Sequence, residues 1–437
     1  MNKLKFIGLP FGFYGSYKMY DYYYKYKHES NVDNNSYDIG IIGGGIVGLA
    51  TARLLKLKYP DKKMILLEKD NEFANAQTGH NSGVIHAGMY YKPNSLKAKL
   101  CVEGAKLTYD YCDQKNIPYK KVGKLIVATN ENEFENLRNI YKRALENKVV
   151  DVKFLETEEE IKKIEPNCNG LKAIHCRSTG IVDWKQVALS YKKDFEDNNG
   201  ITRNKHDVFN IKKNNDHILI CSKNQQSVKV KNLITCAGMY SDRLSHLTGG
   251  DKLPKIMPFR GEYLLLNDDK KHLVNGNIYP VPDPRFPFLG VHFTPRLNGD
   301  IWLGPNAVMG FSREGYSYFD INIFDLLEQL TFSGFWHIAS KYTYFGFNEM
   351  YKSIIIEKQV KELQKYIPNI TVNDVKRGPS GVRAQAVDYD GTLIEDFVFD
   401  ESDERILHVR NAPSPGATSS LAISKMIVDK VENKFKI

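Results

Sequence analysis

No apolar run in the chain reaches the ~18–20 residues that a membrane-spanning helix needs, so a soluble or peripheral protein is expected. Cysteine is scarce. The six residues, Cys101, Cys112, Cys168, Cys176, Cys221 and Cys236, contain no Cys-x-x-Cys pair. That spacing offers no metal site and no redox pair, and buried, reduced thiols of an intracellular protein are expected. There is no internal repeat and no low-complexity tract, which excludes solenoids and linkers. The formal net charge of +9 is spread along the chain instead of gathered in a block. A dedicated nucleic-acid arm, and hence a nucleic-acid partner, is not expected.

What is present is the texture of a globular chain of 437 residues, 42% hydrophobic and 26% charged, long enough to bury a cofactor. Residues 1–36 are crowded with aromatics, and Lys3, Lys5 and Lys18 precede the first acid, Asp21. An early basic, acid-poor segment suits a mitochondrial presequence. The absence of Arg suits a disordered or membrane-touching tail instead. Order is expected from Tyr37.

Tyr37–Ile42 reads as a short buried strand. It runs into Gly43-x-Gly45-x-x-Gly48, then a helix over 47–58, then a second strand, Met64–Leu67, closed by Glu68. In that context each glycine has a task. Gly43 permits the tight turn, Gly45 lets backbone approach a diphosphate, and Gly48 lets helix and strand pack closely. The helix start offers free N–H groups and a positive dipole. Glu68 is placed to accept hydrogen bonds from ribose hydroxyls. The unit is a dinucleotide site.

Later segments decide between nicotinamide and flavin. Gln77–Gly88, with Thr78, Asn81, Ser82 and Gly83, suits a loop beside a ribityl chain and ring. Ile234–Gly238, with Ala237 and Gly238 at its end, suits a strand and loop closing over FAD. Asn411–Ser420, with Gly416, Ala417 and Thr418, leads into a helix whose N-terminus would stabilise a reduced flavin's negative charge. FAD is the expected cofactor.

The motifs Gln77–Gly88, Tyr90–Pro93, Ser95–Cys101, Pro258–Tyr263, Gly378–Gln385 and Pro413–Ser420 resemble the D-amino-acid-oxidase-like superfamily of FAD enzymes. Within it they resemble the branch acting on L-2-hydroxyglutarate. The resemblance runs from about residue 37 to the end. It implies an α/β fold, with a Rossmann-like FAD-binding domain interleaved with an α+β substrate domain built on an antiparallel sheet. The FAD-binding parts are expected at 37–108, 165–257 and 375–437, and the substrate parts at 109–164 and 258–374. It further implies a mitochondrial or membrane-associated dehydrogenase that returns L-2-hydroxyglutarate to 2-oxoglutarate. Hydride would pass from the alpha carbon to flavin N5, and electrons to an acceptor other than oxygen, a quinone or an electron-transfer protein.

Such chemistry needs a base for the hydroxyl proton and cations for two carboxylates. His80, His86 and His292 are the candidate bases, since neutral imidazole suits the task near pH 7. Arg260, Arg285, Arg296 and Arg383 are the candidate anchors, with Arg260 and Arg383 favoured by their motifs. Tyr263 and Thr294 are candidate orienting groups. The aromatic stretch around 331–350 is expected to form core or a cap over the site, with a membrane or quinone contact as the alternative. Two other functions remain open at this stage: an amine or imino-acid oxidase of the same superfamily, and a basic flavin-bearing module that binds RNA or membrane with little turnover.

Overall fold

The computed structural model describes residues 31–283 and 289–437. The presequence expectation and Arg285 lie outside the described residues. The first strand is Val32–Ile42 and so begins five residues before Tyr37. Its extension pairs Val32 with Ser227 and is held by the Asp33 carboxylate, which accepts from Arg203, from the Asn35 N–H and from the Tyr37 hydroxyl.

Ile39–Ile42 and Met64–Leu67 are buried throughout, the mark of parallel strands covered on both faces. They are the centre of an eight-stranded sheet. Val32–Ile42 pairs in parallel with Met64–Leu67 and with Ser227–Thr235. Ile201–Arg203 and Ile406–Asn411 extend the parallel set on either side. The alternating segment 204–232 forms antiparallel strands, Val208–Lys213 on Ile218–Ser222 on Ser227–Thr235. Four helices, Ile46–Lys58, Leu96–Lys115, Trp184–Asp197 and Ser420–Phe435, supply much of one apolar core beside this sheet. The polar–apolar hairpins join a smaller core that includes Tyr37, Ile65 and Leu67.

A nine-stranded sheet forms the second half. Its longest pairing sets Lys255–Leu266 antiparallel to Val375–Val387. Its one named parallel pairing lays Asn277–Pro280 on Lys124–Ala128. Lys172–Cys176 pairs with Lys124–Ala128 and Val152–Leu155, so residues 172–176 belong with this sheet and the chain crosses back after Cys176, later than the expected 165. Three short strands, Val84–Ile85, Tyr119–Lys120 and Gly180–Val182, form a third sheet between. The fold is an α/β Rossmann-like unit interleaved with an α+β unit.

The aromatic stretch divides. Phe332 and Ile338 are buried, but Trp336, Tyr344 and Phe347 are exposed, the last two at 85% and 70%. The expectation of core is therefore met by one side only. Ser333–Lys341 buries Gly334 and Ile338, whereas Thr343–Ile354 buries Glu349 and Ser353 and leaves Tyr344, Phe347, Met350, Tyr351 and Ile354 exposed.

Candidate active site

The site is built where the ends of the parallel strands meet the second sheet. The glycine turn has the geometry its spacing predicts. Gly43 has φ +114°, and a Cβ there would stand 2.2 Å from Cys236 O. A Cβ on Gly48 would stand 2.0 Å from Gly43 O, so helix and strand could not approach as they do. On Gly45 it would meet only Thr78 Oγ1, at 3.4 Å. The helix Ile46–Lys58 has no side-chain cap from Gly45 and no acid in its first turn, so its dipole and the first-turn N–H groups other than that of Ile46 suit a diphosphate. Glu68 accepts from Gly44 N–H at 2.7 Å and Asp70 N–H at 2.9 Å. Burial raises its pKa and those two bonds lower it. These residues fit FAD: a helix start free of acids, an open glycine, and a carboxylate at the end of the second strand.

The loop after that carboxylate returns across the glycine turn. Thr78 Oγ1 accepts from Ile46 N–H at 3.0 Å. Asn81 ties the loop to itself, donating to Gln77 O and Thr78 O and accepting from Gly83 N–H, with Ser82 between. Gln77 Oε1 lies 3.1 Å from where a Gly238 Cβ would be, which sets Ala237 and Gly238 beside this loop. Farther along, His86 N–H donates to Thr418 Oγ1 at 3.1 Å. Gly416, Ala417 and Thr418 lead into the helix Ser420–Phe435, which also starts without a side-chain cap. Three distant segments thus meet along the loop 77–88.

The candidate catalytic residues separate. His80 Nδ1 donates to Ala76 O at 3.0 Å, and its ring stacks on Tyr316 with centroids 4.2 Å apart. His86 and His292 belong to one cluster, and each feels Lys124 and Arg383. His86 is half-buried. Burial first, then Lys124, His292 and Arg383, hold its pKa well below the ordinary value. His292 is 4% exposed and is brought to about 3 by burial and by Lys124 and Arg383, against an opposing bond to Gly290 O.

The candidate arginines separate as well. The Arg260 guanidinium is buried and taken by Glu262 at 2.9 Å and Ser317 O at 2.7 Å. It is a structural ion pair, contrary to the substrate contact expected of it. Arg296 stacks on Trp302 at 4.2 Å and donates to Asn81 O at 3.0 Å, bracing the loop at Gly83. Arg383 is exposed, and its charge bears on His86, His292, Tyr91, Tyr263 and Tyr279. Tyr263 is buried against Trp302, and Thr294 is fully buried.

Sequence reasoning missed Lys124 and Tyr279. Lys124 is 2% exposed. Its Nζ lies 3.8 Å from the Tyr279 ring centre and 3.5 Å from His86 Nδ1. Among the described residues no carboxylate is within ion-pair distance of it. Burial lowers its pKa to about 8, with Cys176 and Cys101 acting the other way. The one signal was a lysine opening the otherwise apolar run Leu125–Ala128. Around His86 and His292 the acting charges are all positive, an arrangement that favours an anion, and above all a dianion.

A family model described as FAD dependent oxidoreductase matches residues 38–430. The mitochondrial L-2-hydroxyglutarate dehydrogenase of Nematostella vectensis is 52% identical over 428 residues, covering 94% of each chain. The human protein of the same name is 52% identical over 422 residues, covering 93% of this chain and 91% of its own. Among solved structures, L-alpha-glycerophosphate oxidase from Mycoplasma pneumoniae, with FAD bound, has a TM-score of 0.72 at 25% identity, covering 90% of this chain and 94% of its own. Glycine oxidase from Geobacillus kaustophilus has a TM-score of 0.67 at 15% identity, covering 92% and 96%, a likeness of fold.

Proposed function

Since the chain belongs to the FAD-dependent oxidoreductase family, we propose that it is a mitochondrial dehydrogenase oxidising L-2-hydroxyglutarate to 2-oxoglutarate, the reaction its relatives' names carry. The observation that carries this reading is the cluster of Lys124, Arg383, His86 and His292, where every acting charge is positive. An amine or imino acid would bring a cationic nitrogen into that field, which disfavours the oxidase alternative. FAD, when bound, supplies the two-electron acceptor at N5 for the hydride leaving the alpha carbon.

The chain's own residues would do the rest. Arg383 holds a substrate carboxylate with a charge-assisted, bidentate bond. His292 Nδ1 faces Gly290 O at 3.0 Å. A carbonyl can only accept, so the ring proton sits on Nδ1 and Nε2 carries the lone pair. Nε2 of His292 is the proposed acceptor of the hydroxyl proton. Its low proton affinity in the free enzyme comes from burial and the neighbouring cations. A dianionic substrate offsets those cations and raises that affinity as it binds.

The exposed Phe324, Trp336, Tyr344 and Phe347, carried by three successive helices, support peripheral contact with a membrane, where a quinone or an electron-transfer protein would accept the electrons in place of oxygen.

The test is anaerobic. Purified holoenzyme is mixed in turn with L-2-hydroxyglutarate, its D-enantiomer, sarcosine and glycerol-3-phosphate. Loss of flavin absorbance with the L-hydroxy acid alone is the expected result. Bleaching by sarcosine, or none by the L-hydroxy acid, would overturn the reading.

A further inference from the structure

We infer that Lys124 is the positioning residue of His86: by donating from Nζ to Nδ1 it fixes the ring proton on Nε2, so that His86 meets the substrate as a hydrogen-bond donor and the proton-acceptor role falls to His292. The inference rests on the proposed hydroxy-acid oxidation and assigns the roles within that same site.

The argument begins with a charge in the wrong place. Lys124 opens a strand whose next four residues, Leu125–Ala128, are all buried, and it is buried itself. An unpaired ammonium taken out of water is unfavourable unless something compensates it. The compensation here is small and specific. Tyr279 presents its ring at 3.8 Å and Tyr90 at 5.6 Å, both as cation–π partners. Cys101 from the helix Leu96–Lys115 and Cys176 from the strand Lys172–Cys176 act on it as well. Among the described residues its one hydrogen-bond acceptor is His86 Nδ1 at 3.5 Å.

An ammonium has three donors and no acceptor. The contact therefore requires the lone pair on Nδ1, and a neutral imidazole then has its single proton on Nε2. His86 is kept neutral by its burial and by the adjacent charge of Lys124. His292 has the reverse pattern because a carbonyl faces its Nδ1. Two imidazoles of one cluster thus present opposite Nε2 atoms, one donating and one accepting. An alpha-hydroxy acid needs that pair: an acceptor for the hydroxyl proton and a donor for an oxygen that gathers negative charge. Lys124, being 2% exposed, acts through His86.

Lys124 titrates at about 8. Above that pH its neutral amine can accept as well as donate, and the imposed tautomer is lost. The experiment is single-turnover reduction of the holoenzyme's flavin by L-2-hydroxyglutarate, from about pH 6 to pH 10, in wild type, Lys124→Arg and Lys124→Met. The wild-type rate is expected to fall as pH rises through about 8. Lys124→Arg should keep its rate to at least a pH unit higher, since guanidinium does not titrate there. Lys124→Met should be about tenfold slower or more at saturating substrate near neutrality, with flavin content intact. An identical alkaline limb in Lys124→Arg, or a wild-type rate in Lys124→Met, would overturn the inference.

A second measurement needs no Lys124 variant. Ring-nitrogen NMR of histidine-labelled wild-type holoenzyme, with the His86 signals identified by their loss in His86→Asn, should show the proton on Nε2. A proton on Nδ1 would overturn the inference. A wild type that L-2-hydroxyglutarate does not reduce, with the proton nonetheless on Nε2, would instead remove the functional reading and leave the Lys124–His86 relation standing.

Discussion

The Tyr279 ring stacks on the His292 imidazole with centroids 3.9 Å apart and planes 26° from parallel. Lys124 Nζ lies 3.8 Å from the centre of that same ring. The tyrosine thus couples a buried cation to the proposed proton acceptor and limits how the imidazole can turn.

That arrangement predicts the acid side of the pH profile. His292 titrates at about 3 and His86 well below its ordinary value, so both rings are neutral through the mildly acidic range. At substrate concentrations well below KM, where the rate reports the free enzyme, flavin reduction by L-2-hydroxyglutarate should therefore show no limb near the ordinary histidine pKa of about 6.5. His292→Gln should slow it by about 10²–10⁴-fold with flavin still bound. Stopped-flow reduction from about pH 5 to pH 7.5 checks both statements. A limb near 6.5 that disappears in His86→Gln would exchange the two roles.

Arg383 and Arg260 lie on paired strands, one position out of register, yet their substitutions should differ in kind. Arg383→Ala removes an exposed charge that bears on the cluster, and kcat/KM should fall by roughly 30–150-fold, or about 2–3 kcal/mol, with flavin content and Tm little changed. Arg260→Ala leaves Glu262 without its cation. Breaking such a buried pair costs about 3–5 kcal/mol, so this variant should lose thermal stability or soluble yield. Titration of substrate and a melting curve on each variant separate the cases. A stable Arg260→Ala enzyme with raised KM would return Arg260 to the substrate.

Why the motif around Arg260 misled is a matter of strand geometry. Arg260 and Glu262 are two residues apart, hence on the same face of the strand, and the ion pair was spelled out in the motif that seemed to offer a substrate anchor. The glycine turn, its helix and Glu68 were legible because local backbone geometry alone demands them. Lys124 was not. Its burial depends on Tyr279 and His86, 155 and 38 positions away in the numbering, and a lysine at the start of an apolar strand reads as an exposed end. The aromatic helices failed for a related reason: composition says how many apolar side chains exist, while the packing partner decides which of them it covers.

The glycine turn offers a test that separates folding from cofactor binding. An added Cβ at Gly48 would collide with Gly43 backbone at 2.0 Å, whereas one at Gly45 meets only the Thr78 hydroxyl at 3.4 Å. Gly48→Ala should therefore destabilise the parallel-sheet unit itself and lower soluble yield. Gly45→Ala should fold, with an unchanged far-ultraviolet spectrum, but bind FAD more weakly because the methyl group stands where the diphosphate approaches. Flavin-to-protein absorbance ratios decide this. A fully yellow Gly45→Ala protein would move the diphosphate away from the turn.

Acid should weaken the fold through buried histidines outside the site. His206 and His408 are 1% and 2% exposed, and burial brings both to about 4. Their folded pKa values lie below the unfolded value, so between about pH 6.5 and 4 the unfolded chain binds protons that the folded chain does not. Stability is therefore greatest above that window and falls as pH drops through it, by about 2 kcal/mol per histidine at pH 5. His408 is bonded to Thr235 and Thr248 at 2.8 Å each, so replacing it would take a partner from two buried hydroxyls. The His206 ring nitrogens are buried without partners, which makes it the cleaner probe. His206→Leu should leave Tm near neutrality unchanged or higher and should lose less of it at pH 5 than wild type does. Equal acid sensitivity in the two proteins would show that His206 does not carry this part of the pH dependence.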